Sequence, residues 1–161
     1  MKNYYVYFII AFCLISCKDD FTLVKSDLVG SGRLSMKGLS NSDQYVNFPN
    51  ENLIINDSLK WNRLVVQMDS VGYTDYNNLE SGYLVNVKTD FSRFTVIACF
   101  DVSRMHNGYL EIVKILEYNS NIEVHFNPSV SVPGPYLFSV PEAFCLVKIK
   151  TTNKPVSFVY N

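Results

Sequence analysis

The chain has 161 residues, 48% of them hydrophobic and 18% charged, with a formal net charge of −1. That is the composition of one globular domain with a short appendage, and it excludes wholesale disorder as the starting assumption. A near-neutral chain has no electrostatic footprint for nucleic acid, which is therefore not an expected partner.

The N-terminus carries the most specific signal. Lys2 precedes an apolar stretch over residues 4–15. A helix of that length spans only about 18 Å, too short for a hydrocarbon core of about 30 Å, so it reads as a secretory signal segment. It ends in Leu14-Ile15-Ser16-Cys17, which resembles the lipobox of bacterial lipoproteins. That resemblance makes residues 1–16 a removable signal peptide and Cys17 the lipidated first residue of the mature chain. Residues 1–16 hold Lys2 and no acid, so 13 basic and 15 acidic residues remain, a net of −2. Lys18-Asp19-Asp20 resembles the acidic export signal of some surface lipoproteins, so the expected location is the cell envelope, lipid-anchored in the outer membrane. The membrane is then a partner through the lipid.

Residues 17–42 mix a few apolar residues with Gly30, Gly32, Gly38, Ser31, Ser35 and Ser40. This segment reads as a flexible tether, with Leu23-Val24 and Leu28-Val29 forming an edge strand at most. The domain proper is expected over 43–161. Within it, residues 52–56 make a compact strand, and Asp57-Ser58 is a good helix N-cap pair. Trp61, Leu64, Val65 and Met68 then fall on one stripe of an amphipathic helix over 58–69, ended by Gly72. Trp61 on that stripe is expected in the core.

Residues 73–83 are turn-rich and hold Tyr73, Tyr76 and Tyr83. Residues 84–87 make a short strand or a turn. Phe94 to Phe100 is apolar on both faces, the pattern of a central strand covered on each side, with Phe94 and Phe100 as structural residues. Residues 110–117 break a strict period of two, which predicts a bulge near Val113-Lys114. Ile122, Val124 and Phe126 alternate cleanly with Glu123 and His125. Residues 127–142 are proline-rich and read as a loop, 143–149 as a strand, 151–154 as a turn and 155–160 as a last strand.

Chemistry-bearing residues are few. Of the four cysteines, Cys13 leaves with the signal and Cys17 is lipidated. Cys99 and Cys145 lie in apolar runs; free buried thiols are the expectation, with a disulfide as the alternative. His106 with Asp101, or His125 with Glu123, is the best available metal pair, but neither has a second histidine at ligand spacing, so no metal is expected. Glu111 and Glu117 can face one way on a strand, but glycosidase chemistry needs a carboxylate pair across a cleft. No nucleophile elbow, phosphate loop, dinucleotide fingerprint or zinc-protease motif occurs, so neither an enzyme nor a cofactor is expected. The loop residues His106, Asn107, Gly108 and Tyr109 are the candidate partner-binding site. Asn107-Gly108 suits consecutive positive φ angles, and Tyr109 starts the next strand.

The order and spacing of these elements resemble the C-terminal domain of the PrcB family, lipoprotein subunits associated with a surface protease complex. The similarity runs over residues 52–161. It includes the strand into the Ser58–Trp61 helix start, Asp90-Phe91-Ser92, Gly108-Tyr109, the 144–150 strand and Lys154-Pro155-Val156-Ser157-Phe158. Where the family loop typically reads Thr-Gly-Gly-Tyr, this chain has His106-Asn107-Gly108-Tyr109. The resemblance implies a non-enzymatic accessory that binds or stabilises a protease partner.

The expected fold is α+β: an antiparallel or sandwich-like sheet of about 5–7 strands packed with one helix. The expected function is a lipid-anchored binding module with a protein partner, a secreted or surface protease being suspected. Two other readings are a protease inhibitor using the 103–109 and 128–136 loops, and a surface glycan binder using Tyr73, Tyr76 and Tyr83.

Overall fold

The computed structural model describes residues 20–34, 52–75, 83–100, 110–128 and 143–160. Among them are nine strands and one α-helix: β1 (Thr22–Leu23), β2 (Asp27–Leu34), β3 (Leu53–Ile55), α1 (Ser58–Val71), β4 (Tyr73–Asp75), β5 (Phe94–Phe100), β6 (Leu110–Glu117), β7 (Ile122–Pro128), β8 (Ala143–Lys150) and β9 (Val156–Tyr160). They form a four-stranded sheet in the order β1-β6-β7-β9 and a five-stranded sheet in the order β3-β5-β8-β2-β4. The fold is α+β as expected; the strand number is higher because β1 and β2 come from the segment read as a tether with at most one edge strand, and β4 from the segment read as turn-rich.

The layers follow from side-chain alternation. Ile97, Cys99, Cys145, Val147 and Ile149 of the five-stranded sheet meet Ile115, Ile122, Val124 and Phe126 of the four-stranded sheet in one core. Val96, Ala98, Phe100, Phe144 and Leu146 point the other way, into a second core with Trp61, Leu64, Val65 and Met68 of α1. Thus β5 is covered on both faces, and its run of apolar residues is explained. The order of layers is four-stranded sheet, five-stranded sheet, helix.

Helix α1 is bounded by local chemistry. The Asp57 carboxylate accepts from the Lys60 amide at 2.7 Å, satisfying a first-turn donor. Gly72, at φ 72°, donates its amide to the Asp69 carbonyl and ends the helix, a backbone state that a side chain resists. The 84–87 segment takes its turn alternative, a 3₁₀ turn over Tyr83–Asn86. The bulge in β6 is present: the β6–β7 register shifts between Ile112 and Lys114.

Three expectations need correction. Residues 27–34 are not tether and not an edge. Strand β2 is internal, paired with β8 on one side and β4 on the other. Its glycines suggested a linker, but Gly30 and Gly32 are there because neighbouring groups come too close for a Cβ. Likewise, Tyr73–Asp75 is strand β4 rather than a connection. The sheets are also not wholly antiparallel, since β9 runs parallel to β7. The chain descends along β8 in one sheet, turns over residues 151–155 and ascends along β9 in the other. A parallel neighbour therefore needs no long crossover within one sheet.

Candidate functional site

The strand registers define two ends of the sandwich. At one end, Phe100 pairs with Phe144 and Arg33 with Ala143, while Leu110 pairs with Pro128 in the other sheet. The strand ends that flank segments 101–109 and 129–142 are therefore neighbours at this end. At the opposite end lie Phe94 paired with Lys150, Glu117 paired with Ile122, and Thr22 paired with Glu117. The described N-terminal residues thus sit at the end opposite the strand ends that flank segments 101–109 and 129–142.

The strand ends at the first of these two ends are firmly held. Phe100 and Phe144 are fully buried, and Tyr73 meets the Phe144 ring edge-on with centroids 6.0 Å apart. The Asn52 side chain accepts from the Phe100 amide at 3.0 Å, fixing the backbone where segment 101–109 begins. Asp75, 1% exposed, lies among apolar residues of the helix-side core, with one carboxylate oxygen facing Gly30. Neither Asn52 nor Asp75 was singled out from sequence. Asn52 looks like an ordinary strand-preceding residue, and Asp75 sits in a run whose neighbours spell a turn.

The far end is built differently. Asp90 Oδ1 accepts from the Ser92 hydroxyl at 2.6 Å and the Ser92 amide at 3.0 Å; these bonds hold the Asp90 carboxyl below its ordinary range, assisted by Arg93. The Asp90 carbonyl accepts from Arg93 and Phe94, launching β5. Phe94 is half-buried here, with Lys148 4.8 Å and Arg93 5.5 Å from its ring centroid. Lys148 also pairs with Asp27 at 3.7 Å. Around them a groove of about 520 Å³ opens between the sheets, with Lys25, Lys150 and Glu117 on its walls. Both charge signs are present, and no histidine or cysteine lines it.

The remaining candidates separate clearly. Trp61 is 4% exposed and belongs to the helix-side core, as expected. Cys17, His106, Asn107, Gly108 and Tyr109 lie outside the described residues, as do Asp101, Tyr76 and residues 129–136. Tyr73 is buried, and its hydroxyl accepts from the Leu84 amide at 2.8 Å. Tyr83 packs against the same core. The Tyr73 ring is therefore not presented for stacking on a sugar, while Tyr83 is half-buried. His125 and Glu123 are paired at 3.1 Å on the outer face of the four-stranded sheet. Among the described residues, no group of three or more His, Cys, Asp or Glu side chains could hold a metal ion. Glu111 and Glu117 lie at opposite ends of β6, and Glu117 is held by Lys154 at 2.7 Å.

Cys99 and Cys145 stand directly opposite each other in the β5–β8 pair. Opposed antiparallel residues lie about 4.5–5.5 Å apart at Cα, within the range a disulfide accepts, yet both are free and buried. Burial pushes the Cys99 thiol far above its ordinary range, and the neighbouring Cys145 adds to this. Burial also pushes Cys145 up to about 11, tempered by the Ile112 backbone amide. Neither is poised as a nucleophile.

Comparison of the chain with protein-family models, with curated proteins and with solved structures yields no match to any of the three.

Proposed function

We propose that the protein is a non-enzymatic accessory of the cell envelope, anchored in the outer membrane by lipid on Cys17, that binds or stabilises a protease complex through protein–protein contacts. One observation carries this reading. The strand ends flanking segments 101–109 and 129–142 lie together, at the end of the sandwich opposite residue 20. A lipid on Cys17 would hold the N-terminal end near the bilayer and direct the end flanking segments 101–109 and 129–142 outward. Loops on a rigid sheet scaffold are a common means of recognition. The PrcB-like order of elements supports a protease as the partner, and the scarcity of catalytic groups supports an accessory role.

The test is affinity purification from detergent-solubilised membranes, comparing the parent with a His106→Ala/Asn107→Ala variant. The expected result is a co-purifying peptidase that the variant loses. Recovery of no peptidase, or equal recovery with both proteins, would refute the proposal. The same pairing of loop bases also supports direct inhibition as a second reading. Assaying the purified protein against the recovered peptidase separates the two: loss of peptidase activity marks an inhibitor, and retention or stabilisation marks an accessory.

A further inference from the structure

The outer face of the four-stranded sheet carries an apolar corner that neither core explains. Ile115 faces Val124 in the inter-sheet core, so the next residue, Leu116, points to the other face, where it is covered and only 5% exposed. Its partner across β1 is Leu23, which is 72% exposed. Phe21 is 57% exposed and leans on the Tyr118 ring, with centroids 5.9 Å apart. Leu23 and Phe21 are two positions apart and Leu116 and Tyr118 are two positions apart, so these four residues share one face. The corner is held in place: the Val24 amide donates to the Ile115 carbonyl at 2.9 Å, and Lys154 donates to the Tyr118 carbonyl at 2.7 Å.

We infer that this corner, Phe21, Leu23 and Tyr118, seats the domain on the lipid bilayer that carries its anchor. The inference rests on the lipidation of Cys17 and adds an orientation to it. Cys17 is five residues before Thr22, where pairing to β6 begins. A fully extended chain of that length reaches at most about 18 Å. The eight residues of β6 span about 27 Å. The linker is therefore shorter than the domain is tall, and the residues that follow it are obliged to stay close to the headgroups. An aromatic pair and a leucine at that place suit the boundary between headgroups and acyl chains, where phenol and apolar groups both find favourable surroundings. Charges beside the corner are of both signs: Asp20 lies in a cleft with Tyr118, Lys25 and Glu117 line the groove with Leu23, and Lys154 pairs with Glu117. The seat is accordingly apolar and aromatic, and independent of anionic lipid.

The test uses the full lipidated protein reconstituted into phosphatidylethanolamine vesicles, with and without phosphatidylglycerol, containing lipids brominated near the glycerol end. Phe21→Trp places a fluorescent reporter in the corner. Val66→Trp places one on the exposed face of α1, two layers away, where Val66 is 67% exposed. Trp61, buried in the parent, supplies the background. The expected result is blue-shifted emission and loss of intensity with brominated lipid for Phe21→Trp only, equal in both vesicle types. Vesicle-bound protein with no quenching at either position would overturn the seat while leaving the anchor intact. Equal quenching at both positions would overturn the orientation. A blue shift without quenching would assign the corner to a second copy or another protein instead. Failure of the parent to float with vesicles, or a Cys17 without lipid by mass spectrometry, would overturn the anchor and the seat together.

Discussion

Substituting Gly32 tests the internal position of β2 most directly. A Cβ built at Gly32 would overlap the Thr74 carbonyl oxygen, and would lie 2.9 Å from the carbonyl carbon and 3.0 Å from the Asp75 Cα. All three are backbone atoms of β4, so no side-chain rotation relieves the clash. Either β2 and β4 separate locally or β4 detaches. Local overpacking of this kind costs about 1–3 kcal/mol. Detachment would expose Tyr73, now 5% exposed, at about 1.5–3 kcal/mol, and would break its bond to the Leu84 amide, worth about 1 kcal/mol net. The two routes give similar totals, and Gly32→Ala is expected to lose about 2–3 kcal/mol. For a domain of this size that corresponds to roughly 4–12 °C in melting temperature. Urea denaturation of the detergent-solubilised protein, followed by Trp61 fluorescence, reads the loss. Gly30→Ala is the control, because a Cβ there meets the Asp75 carboxylate oxygen at 2.8 Å, a side-chain atom able to shift. Its expected cost is smaller, about 1 kcal/mol. A Gly32→Ala loss below about 0.5 kcal/mol, the range of an ordinary surface change, would refute the close approach of β4 and return the segment to a linker.

Trp61→Ala is expected to cost about 3–5 kcal/mol, because the indole is 4% exposed between α1 and the five-stranded sheet; near-parental melting would show that the helix does not pack there. Cys99 and Cys145 should resist thiol reagents in the native state at pH 8 and react fully after denaturation; rapid native labelling would contradict their burial. The thiols also link stability to pH. Their folded pKa values lie above the ordinary value of 9.0, Cys145 at about 11, so the unfolded chain ionises first. Their contribution is fully present below pH 9 and is lost as pH climbs through 11. A Cys99→Ala/Cys145→Ala variant should therefore lose less stability than the parent between pH 8 and 10.5; parallel losses would sink the linkage.

Much of the architecture follows from local pattern. The Asp57 cap, the stripe from Trp61 to Met68 and Gly72 mark α1 because capping and a 3.6-residue period are properties of a single segment. The two-faced run at β5 announces a strand with layers on both sides. The irregular period of β6 announces its bulge, and the alternation of β7 announces one wet face. These signals lie within a few residues of each other and need no partner to be read.

Partner choice is what tertiary structure decided. Gly30 and Gly32 have the composition of a linker, and only the position of β4 shows that they are glycines to admit a neighbouring backbone. Tyr73 and Asp75 sit in a turn-like run, yet they are buried because Leu34 and Gly32 pair with them. The parallel β7–β9 pair arises from a chain that changes sheets at residues 151–155, which no strand period encodes. Cys99 and Cys145 are 46 positions apart and meet only through the β5–β8 register. The apolar corner of Phe21, Leu23 and Tyr118 likewise joins residues nearly a hundred positions apart. Sequence periodicity states which faces of an element avoid water; it carries no information about which other element covers them, because burial is satisfied by any apolar surface of fitting shape.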